Sequence, residues 1–209
     1  MKISSCHPTP ATLILAIAAM NVTGCAPLLV GGAVVGGSMI ATDRRSSATQ
    51  LEDQVIEVKA GSRAREVLGE RGRASVTSYN RIVLLTGDVA TEADKAAVEQ
   101  AASRVDNVKS IVNELAVMGS LSLGSRTHDA LISTKVKASL VDTKDLYANS
   151  IKVVTERGVV YLMGRVSERE ATQVANVARG VNGVQKVVRV FEILSDGELA
   201  DLQLKAAPK

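Results

Sequence analysis

The chain's thiols are Cys6 and Cys25, and both fall within the first 25 of its 209 residues. Cys25 ends the run Val22-Thr23-Gly24-Cys25, an aliphatic residue, two small ones and a thiol. Small residues fit a narrow peptidase cleft. The thiol can receive a diacylglycerol, and cleavage before Cys25 frees an amine that can also be acylated. Upstream stand Lys2 and residues 11–20, an apolar run broken only by Thr12. That run has the length of a signal-peptide core and is too short to span a bilayer. Residues 1–24 therefore read as a lipoprotein signal peptide and Cys25 as its lipidation site. The competing readings are an ordinary signal peptide with a chance Cys, or an apolar start on a chain that is not exported. Acyl chains at about 0.8 kcal/mol per methylene make a stable anchor when more than one is attached.

Other reactive chemistry is sparse. Beyond Cys25 there is no thiol, which excludes disulfide scaffolding, cysteine-ligated zinc and a cysteine nucleophile from the remainder. The histidines are His7, in the signal, and His128, which has no His, Cys or suitably spaced carboxylate beside it. Nothing raises a Ser/His/Asp arrangement above chance. Gly31-Gly32 and Gly36-Gly37 do not join a strand to a helix, so a phosphate-cradling loop is not expected. We expect no enzyme activity, no cofactor, no metal and no small-molecule substrate. A net charge of +3 is too mild to indicate a polyanion. The aromatics are Phe191, Tyr79, Tyr147 and Tyr161, with no Trp, which argues against nucleic-acid binding by base stacking.

The remaining chemistry is cationic and apolar. In residues 127–141, Ile132, Val136 and Leu140 share a helical face. Leu131 lies about 100° from Ile132, outward beside Lys135, and Lys135 and Lys137 bracket the apolar stripe. An exposed apolar side chain flanked by lysines suits an anionic lipid surface: the apolar group inserts and the cations meet phosphates. The same pattern also describes an ordinary amphipathic helix with a solvated Lys face. Arg44 and Arg45, soon after the anchor, allow two readings as well, headgroup contact or a solubilising linker. Residues 26–41 are apolar and Gly-rich. They suit a segment near the lipid surface better than a second span, being about 16 residues long and poor in helix formers.

These residues must be positioned by elements that occur twice. Val159-Val160-Tyr161-Leu162-Met163-Gly164-Arg165-Val166 echoes Ile82-Val83-Leu84-Leu85-Thr86-Gly87-Asp88-Val89. Each is a β-forming run with a Gly in its sixth place, followed by an acidic, Ala-rich helix and then a Val-rich strand. Around each run the order reads α-β-β-α-β. In the first copy, Leu51, Val55 and Val58 fall at helical spacing with Ile56 beside them. Thr49 is the expected N-cap, the helix ends near Leu68-Gly69, residues 74–79 form the first strand, and Asn80 makes a tight turn. Residues 82–89 are the second strand, Thr91 opens the second helix, and residues 108–117 form the third strand. In the second copy, a helix over 127–141 is followed by strands 151–155 and 159–166 around the turn Arg157-Gly158. A helix started by Ser167-Glu168-Arg169-Glu170 then leads to strand 184–194. Gly87 and Gly164 serve a backbone or close-packing need.

The fold class is thus α+β, with two tandem α-β-β-α-β domains, each a three-stranded sheet packed against two helices. The expected boundaries are a signal peptide at 1–24, a lipid-anchored Gly-rich tether at 25–48, and domains at 49–119 and 124–194. A flexible tail at 195–209 completes the chain, with at most one weak helical turn.

The second copy ends on Val181-Asn182-Gly183-Val184-Gln185-Lys186-Val187-Val188. It also contains Ile132-Ser133-Thr134-Lys135-Val136 and the stretch from Leu162-Met163-Gly164-Arg165-Val166 through Ser167-Glu168-Arg169-Glu170-Ala171. These resemble the BON domain. A lipobox, then Asp43-Arg44-Arg45-Ser46, then two such units resembles the dual-BON outer-membrane lipoproteins from Cys25 to about Leu194. The first copy departs where Asp106-Asn107 stands opposite Asn182-Gly183. The resemblance implies a non-enzymatic, lipid-anchored protein on the periplasmic face of the outer membrane of a Gram-negative cell. Ala26, rather than Asp, after Cys25 agrees with that sorting. It further implies binding of anionic phospholipid, support of outer-membrane integrity, and a link to division-site envelope remodelling. The expected phospholipid-binding residues are Leu131, Lys135, Lys137, Thr134 and His128. Leu131 stands where relatives carry an aromatic anchor. The alternative is a scaffold for envelope proteins, serving outer-membrane assembly or cell-wall amidase regulation without headgroup binding.

Overall fold

The structure is a computed structural model that describes residues 43–119, 122–144 and 146–206. The signal peptide, Cys25 and the Gly-rich segment up to residue 42 lie outside the described residues.

Helix α1 (Ser47–Leu68) opens the first copy. Its cap is Ser46, three residues before the expected Thr49: the Ser46 hydroxyl accepts from the Thr49 backbone N–H, satisfying one of the orphan donors of the first turn. The apolar series Leu51, Val55 and Val58 points outward, at 62, 44 and 70 % exposure. The buried face is instead Asp53, Ile56, Ala60, Ala64 and Leu68. Small residues are needed there because α1 lies against both the sheet and a second helix.

Strands β1 (Gly72–Tyr79) and β2 (Ile82–Val89) form a hairpin with Tyr79 opposite Ile82. Its two-residue loop, Asn80-Arg81, has both φ angles positive (50° and 67°), which twists in the sense the strands require. Helix α2 (Glu92–Ser103), capped by Thr91, crosses over to β3 (Ser110–Val117), which pairs parallel to β2. β2 is therefore the central strand.

The second copy repeats this order. Helix α3 (Leu123–Val141) begins at a Ser122 cap, four residues before the expected start. Strands β4 (Ile151–Glu156) and β5 (Val159–Val166) meet at Arg157-Gly158, again with two positive φ angles (54° and 70°). Helix α4 (Glu168–Arg179) carries a full capping box between Ser167 and Glu170, and β6 (Lys186–Ile193) pairs parallel to β5. Residues expected to form a tail with one weak turn form helix α5 (Asp196–Ala206), pinned by Leu199, which is 8 % exposed.

The alternation of β2 and β5 explains why both read as almost continuous apolar runs. Val83, Leu85 and Val89 enter the helix-side core of the first copy, and Val160, Leu162 and Val166 that of the second. The opposite faces meet each other: Tyr79 and Leu84 join Tyr161, Met163 and Val190 in a third cluster, edged by Ile82, Val112, Val154, Val159 and Val188. The two sheets therefore stack face to face with their helices outside, and both central strands are buried on both faces. Polar contacts rim this contact. The Tyr79 hydroxyl donates to the Ser150 carbonyl at 2.9 Å, Arg73 meets Glu156 at 2.8 Å, and Lys152 meets Glu57 at 2.7 Å.

Candidate lipid-facing site

Every residue expected to meet phospholipid lies on α3 and is exposed: His128, Leu131, Thr134, Lys135 and Lys137. Ile132, Val136 and Leu140 face the core at 1 % exposure or less. At about 100° per residue, Leu131 and Thr134 then fall on the side away from that core, and Lys135 and Lys137 stand about 160° apart on its two flanks. Leu131 is 55 % exposed and Val141, one face further along, is 67 % exposed. Neither lysine forms an ion pair among the described residues. The Thr134 hydroxyl donates to the Ala130 carbonyl at 3.0 Å, the usual resting bond of a helical Thr. Lys135 also borders a groove of about 720 Å³ between α3 and α4, with Ser139, Asp142, Asn176 and Val181. His128 sits apart from that groove, at the first turns of α3 beside Gly183.

Three features hold α3 in place. Asp129 is buried, and its two carboxylate oxygens accept the backbone N–H groups of Arg157 and Gly158 at 2.8 Å each. Ser133 bonds to Thr155 at 2.8 Å. Gly183 lets the α4–β6 loop close on Ile132: a Cβ there would lie 3.0 Å from that side chain. In the first copy Asn107 occupies the corresponding place at φ 67°, where Gly183 has 99°, so Asn takes over the left-handed backbone.

Asp129 has a twin that sequence reasoning overlooked. Asp53, 2 % exposed, accepts the N–H groups of Asn80 and Arg81 at 2.8 Å each and the Ser78 hydroxyl at 2.7 Å. Burial alone would raise its pKa. The bonds from Ser78, Arg81, Arg45 and Asn80 outweigh that and hold it below the ordinary 3.8. In both copies the first helix clasps the hairpin turn through one carboxylate. The signal was present as Asp-x-x-Ile on a core-facing register, Asp53 with Ile56 and Asp129 with Ile132.

Arg44 and Arg45 correct an expectation. Neither headgroup contact nor a solubilising linker describes them, because both guanidinium groups are committed inside the fold. The Arg44 side chain is 6 % exposed, makes two bonds to Glu170 (2.6 and 2.8 Å), donates to the Arg165 carbonyl at 2.7 Å, and lies 5.2 Å from the Tyr147 ring centre. Arg45 bonds Asp43 and Asp53 at 2.7 and 2.8 Å and stacks 4.1 Å over Tyr79. Despite burial, the Arg44 contacts and the Ser167 cap hold the Glu170 carboxyl below its ordinary 4.5. Burial pushes the Tyr79 and Tyr161 hydroxyls up, with Glu114 adding to the effect at Tyr161. Among the described residues, no cluster of His, Cys, Asp and Glu could hold a metal ion, and no helix is long and apolar enough to cross a membrane.

The sequence profile of the BON domain matches residues 52–119 and 128–195, the two copies described above. The chain is 32 % identical over 189 residues to the outer membrane lipoprotein DolP of Haemophilus influenzae, a match that covers 90 % of this chain and 97 % of that one. It is 34 % identical over 151 residues to the 21 kDa hemolysin of Actinobacillus pleuropneumoniae, covering 71 % of this chain and 78 % of that one. Over 66 residues it is 41 % identical to osmotically-inducible protein Y of Escherichia coli, covering 31 % of this chain and 33 % of that one. With both copies matched and a relative aligned almost end to end, the chain belongs to the family of two-BON-domain outer-membrane lipoproteins.

Proposed function

We propose that this chain is a lipid-anchored, periplasm-facing protein whose second BON domain binds anionic phospholipid through the outward side of α3. In this role it supports outer-membrane integrity and the remodelling of the envelope at the division site, with no catalytic step. The observation that carries the reading is the outward side of α3: Leu131 and Val141 more than half exposed, with Lys135 and Lys137 exposed at its flanks and free of ion pairs among the described residues. Nonpolar insertion between two cations is what an anionic interface rewards, at roughly 1 kcal/mol per lysine near the surface. Cys25 would supply the anchor, so that α3 needs only to orient the domain and select headgroups.

The test is vesicle flotation of the mature chain carrying Cys25→Ser, which removes the acyl contribution. Vesicles containing phosphatidylglycerol should float the protein and vesicles of phosphatidylcholine should not. The double variant Leu131→Glu, Lys135→Glu should lower binding at least tenfold, following from about 2 kcal/mol for charge reversal together with the lost insertion. Equal binding to both vesicle types, or an unchanged double variant, rules the reading out. In cells, Cys25→Ser should release the chain from the membrane fraction; a chain that stays attached and still takes up lipid label refutes the anchor.

A further inference from the structure

We propose that the outward face of α1 is an interface with a second copy of this chain, the two helices antiparallel about Val55. Leu51, Val55 and Val58 are exposed at 62, 44 and 70 % and lie diametrically opposite the buried face of Asp53, Ile56, Ala60, Ala64 and Leu68. Their spacing of four then three residues is that of a coiled-coil seam, extended on either side by Ala48 and Ser62. Nothing in the fold of one chain requires these three apolar side chains, since the core of the first copy is built from the other side of the helix.

The charges beside the seam select the partner and its direction. Glu52 and Lys59 occupy equivalent flanking positions, one heptad apart, on the same side of the stripe. When two α1 helices run antiparallel about Val55, Leu51 faces Val58 of the other copy and Val55 faces Val55. Glu52 then stands level with Lys59 of the other copy, twice by symmetry. In a parallel pair these residues do not meet across the seam. The arrangement is self-complementary, as an isologous contact must be. Within one chain Lys59 is only loosely engaged, reaching Asp106 at 3.5 Å with both side chains at least half exposed, whereas Glu52, 22 % exposed, already pairs with Arg81 at 2.5 Å. Lys59 can turn to the partner at little cost and so reach Glu52 of the other copy, which keeps its bond to Arg81 and gains a second cation.

Three apolar side chains per copy fall short of the roughly 800 Å² per partner that a stable dimer in solution buries. The contact therefore belongs to chains held on one surface, where an anchor raises the effective concentration. This rests on the anchoring part of the proposed function but not on headgroup binding by α3.

Disulfide trapping of the full chain in membranes tests it, because the described residues contain no competing thiol. Val55→Cys should cross-link. Leu51→Cys and Val58→Cys should not: in the antiparallel register each is displaced from its own copy by about 9–12 Å along the axis, beyond the roughly 7 Å a disulfide spans. Mixing chains that carry Leu51→Cys with chains that carry Val58→Cys should restore the cross-link. Adding Glu52→Lys to Val55→Cys should lower the yield about threefold or more, and adding Lys59→Glu as well should bring it back. Leu51, Val55, Val58 and Lys59 are on the surface, so the cysteine variants fold as the parent does. Equal cross-linking at 51, 55 and 58, or none at 55 while the parent chain remains in the membrane fraction, overturns the proposal and leaves the lipid reading standing.

Discussion

Asp53 and Asp129 show how much one buried carboxylate can organise. Each lies on the core face of a helix and gathers both N–H groups of a two-residue turn, so helix and hairpin are fixed by a single side chain. An unmet N–H in such a place costs about 1–3 kcal/mol. Asp53→Asn keeps the shape but turns an amide donor toward donors. It should lower the urea midpoint by an amount worth about 1–3 kcal/mol at neutral pH, read from equilibrium unfolding. It should also change the pH dependence. The native pKa values of Asp53 and Glu170 are depressed, so the stability they contribute is fully present above the ordinary values of 3.8 and 4.5. It is lost as pH falls through the lower native values. Glu156 acts in the opposite sense: burial, chiefly, raises its pKa, so its ionisation subtracts stability as pH rises from 4.5 through the raised value. Midpoints measured between pH 7 and pH 3 should fall steeply in the parent below about pH 4.5, and less steeply in Asp53→Asn.

The elements were largely legible in the sequence, and where they were not, the cause was a neighbour. The repeated β-runs, the turns at Asn80 and Arg157-Gly158, and the Ser167 cap follow from residue type and period, because local geometry decides them. The orientation of α1 did not follow, because Leu51, Val55 and Val58 mimic an inner face while alanines serve as the true one against a second helix. Nor did the sheet-on-sheet contact, since a run apolar on both sides says that it is covered but not by what. Gly87 and Gly164 occupy equivalent places for different reasons. Gly87 has φ 123° and would set a Cβ 2.1 Å from the Arg73 carbonyl oxygen, whereas Gly164 would set one 2.9 Å from the Ser150 carbonyl oxygen. Gly87→Ala should therefore part β1 from β2 and cost about 2 kcal/mol or more. Faster hydrogen exchange confined to Gly72–Tyr79 and Ile82–Val89 is the expected signature. Of the site itself, the exposure of Leu131, Lys135 and Lys137 was readable from helical phase, whereas the roles of Asp129 and Gly183 depend on a turn and a loop distant in sequence.

At the scale of the whole described unit, two small domains share a third apolar cluster between their sheets, and each thereby gains burial that about 70 residues hardly supply alone. Ion pairs cross that contact: Arg73–Glu156, Lys152–Glu57, Lys109–Glu192, and Arg157, whose Nε donates to the buried Asp88 at 2.9 Å. Arg44 belongs to this set, since it comes from ahead of the first domain and is held by the second. Arg44→Ala would leave Glu170 without its guanidinium and should cost roughly 2–4 kcal/mol. Amide exchange should accelerate at the start of α4 and around Tyr147, while α1 keeps its protection. This clamp also settles how force enters the molecule. A pull on the segment before Asp43 meets two holds at once: Arg44 passes it to Glu170 and the corner between β5 and α4, while Asp43 and Arg45 pass it to Asp53 on α1. The Arg44 share rests on two bonds made side by side between one guanidinium and one carboxylate, so tension on the anchor is divided between the two domains and does not fall on the first turn of α1 alone.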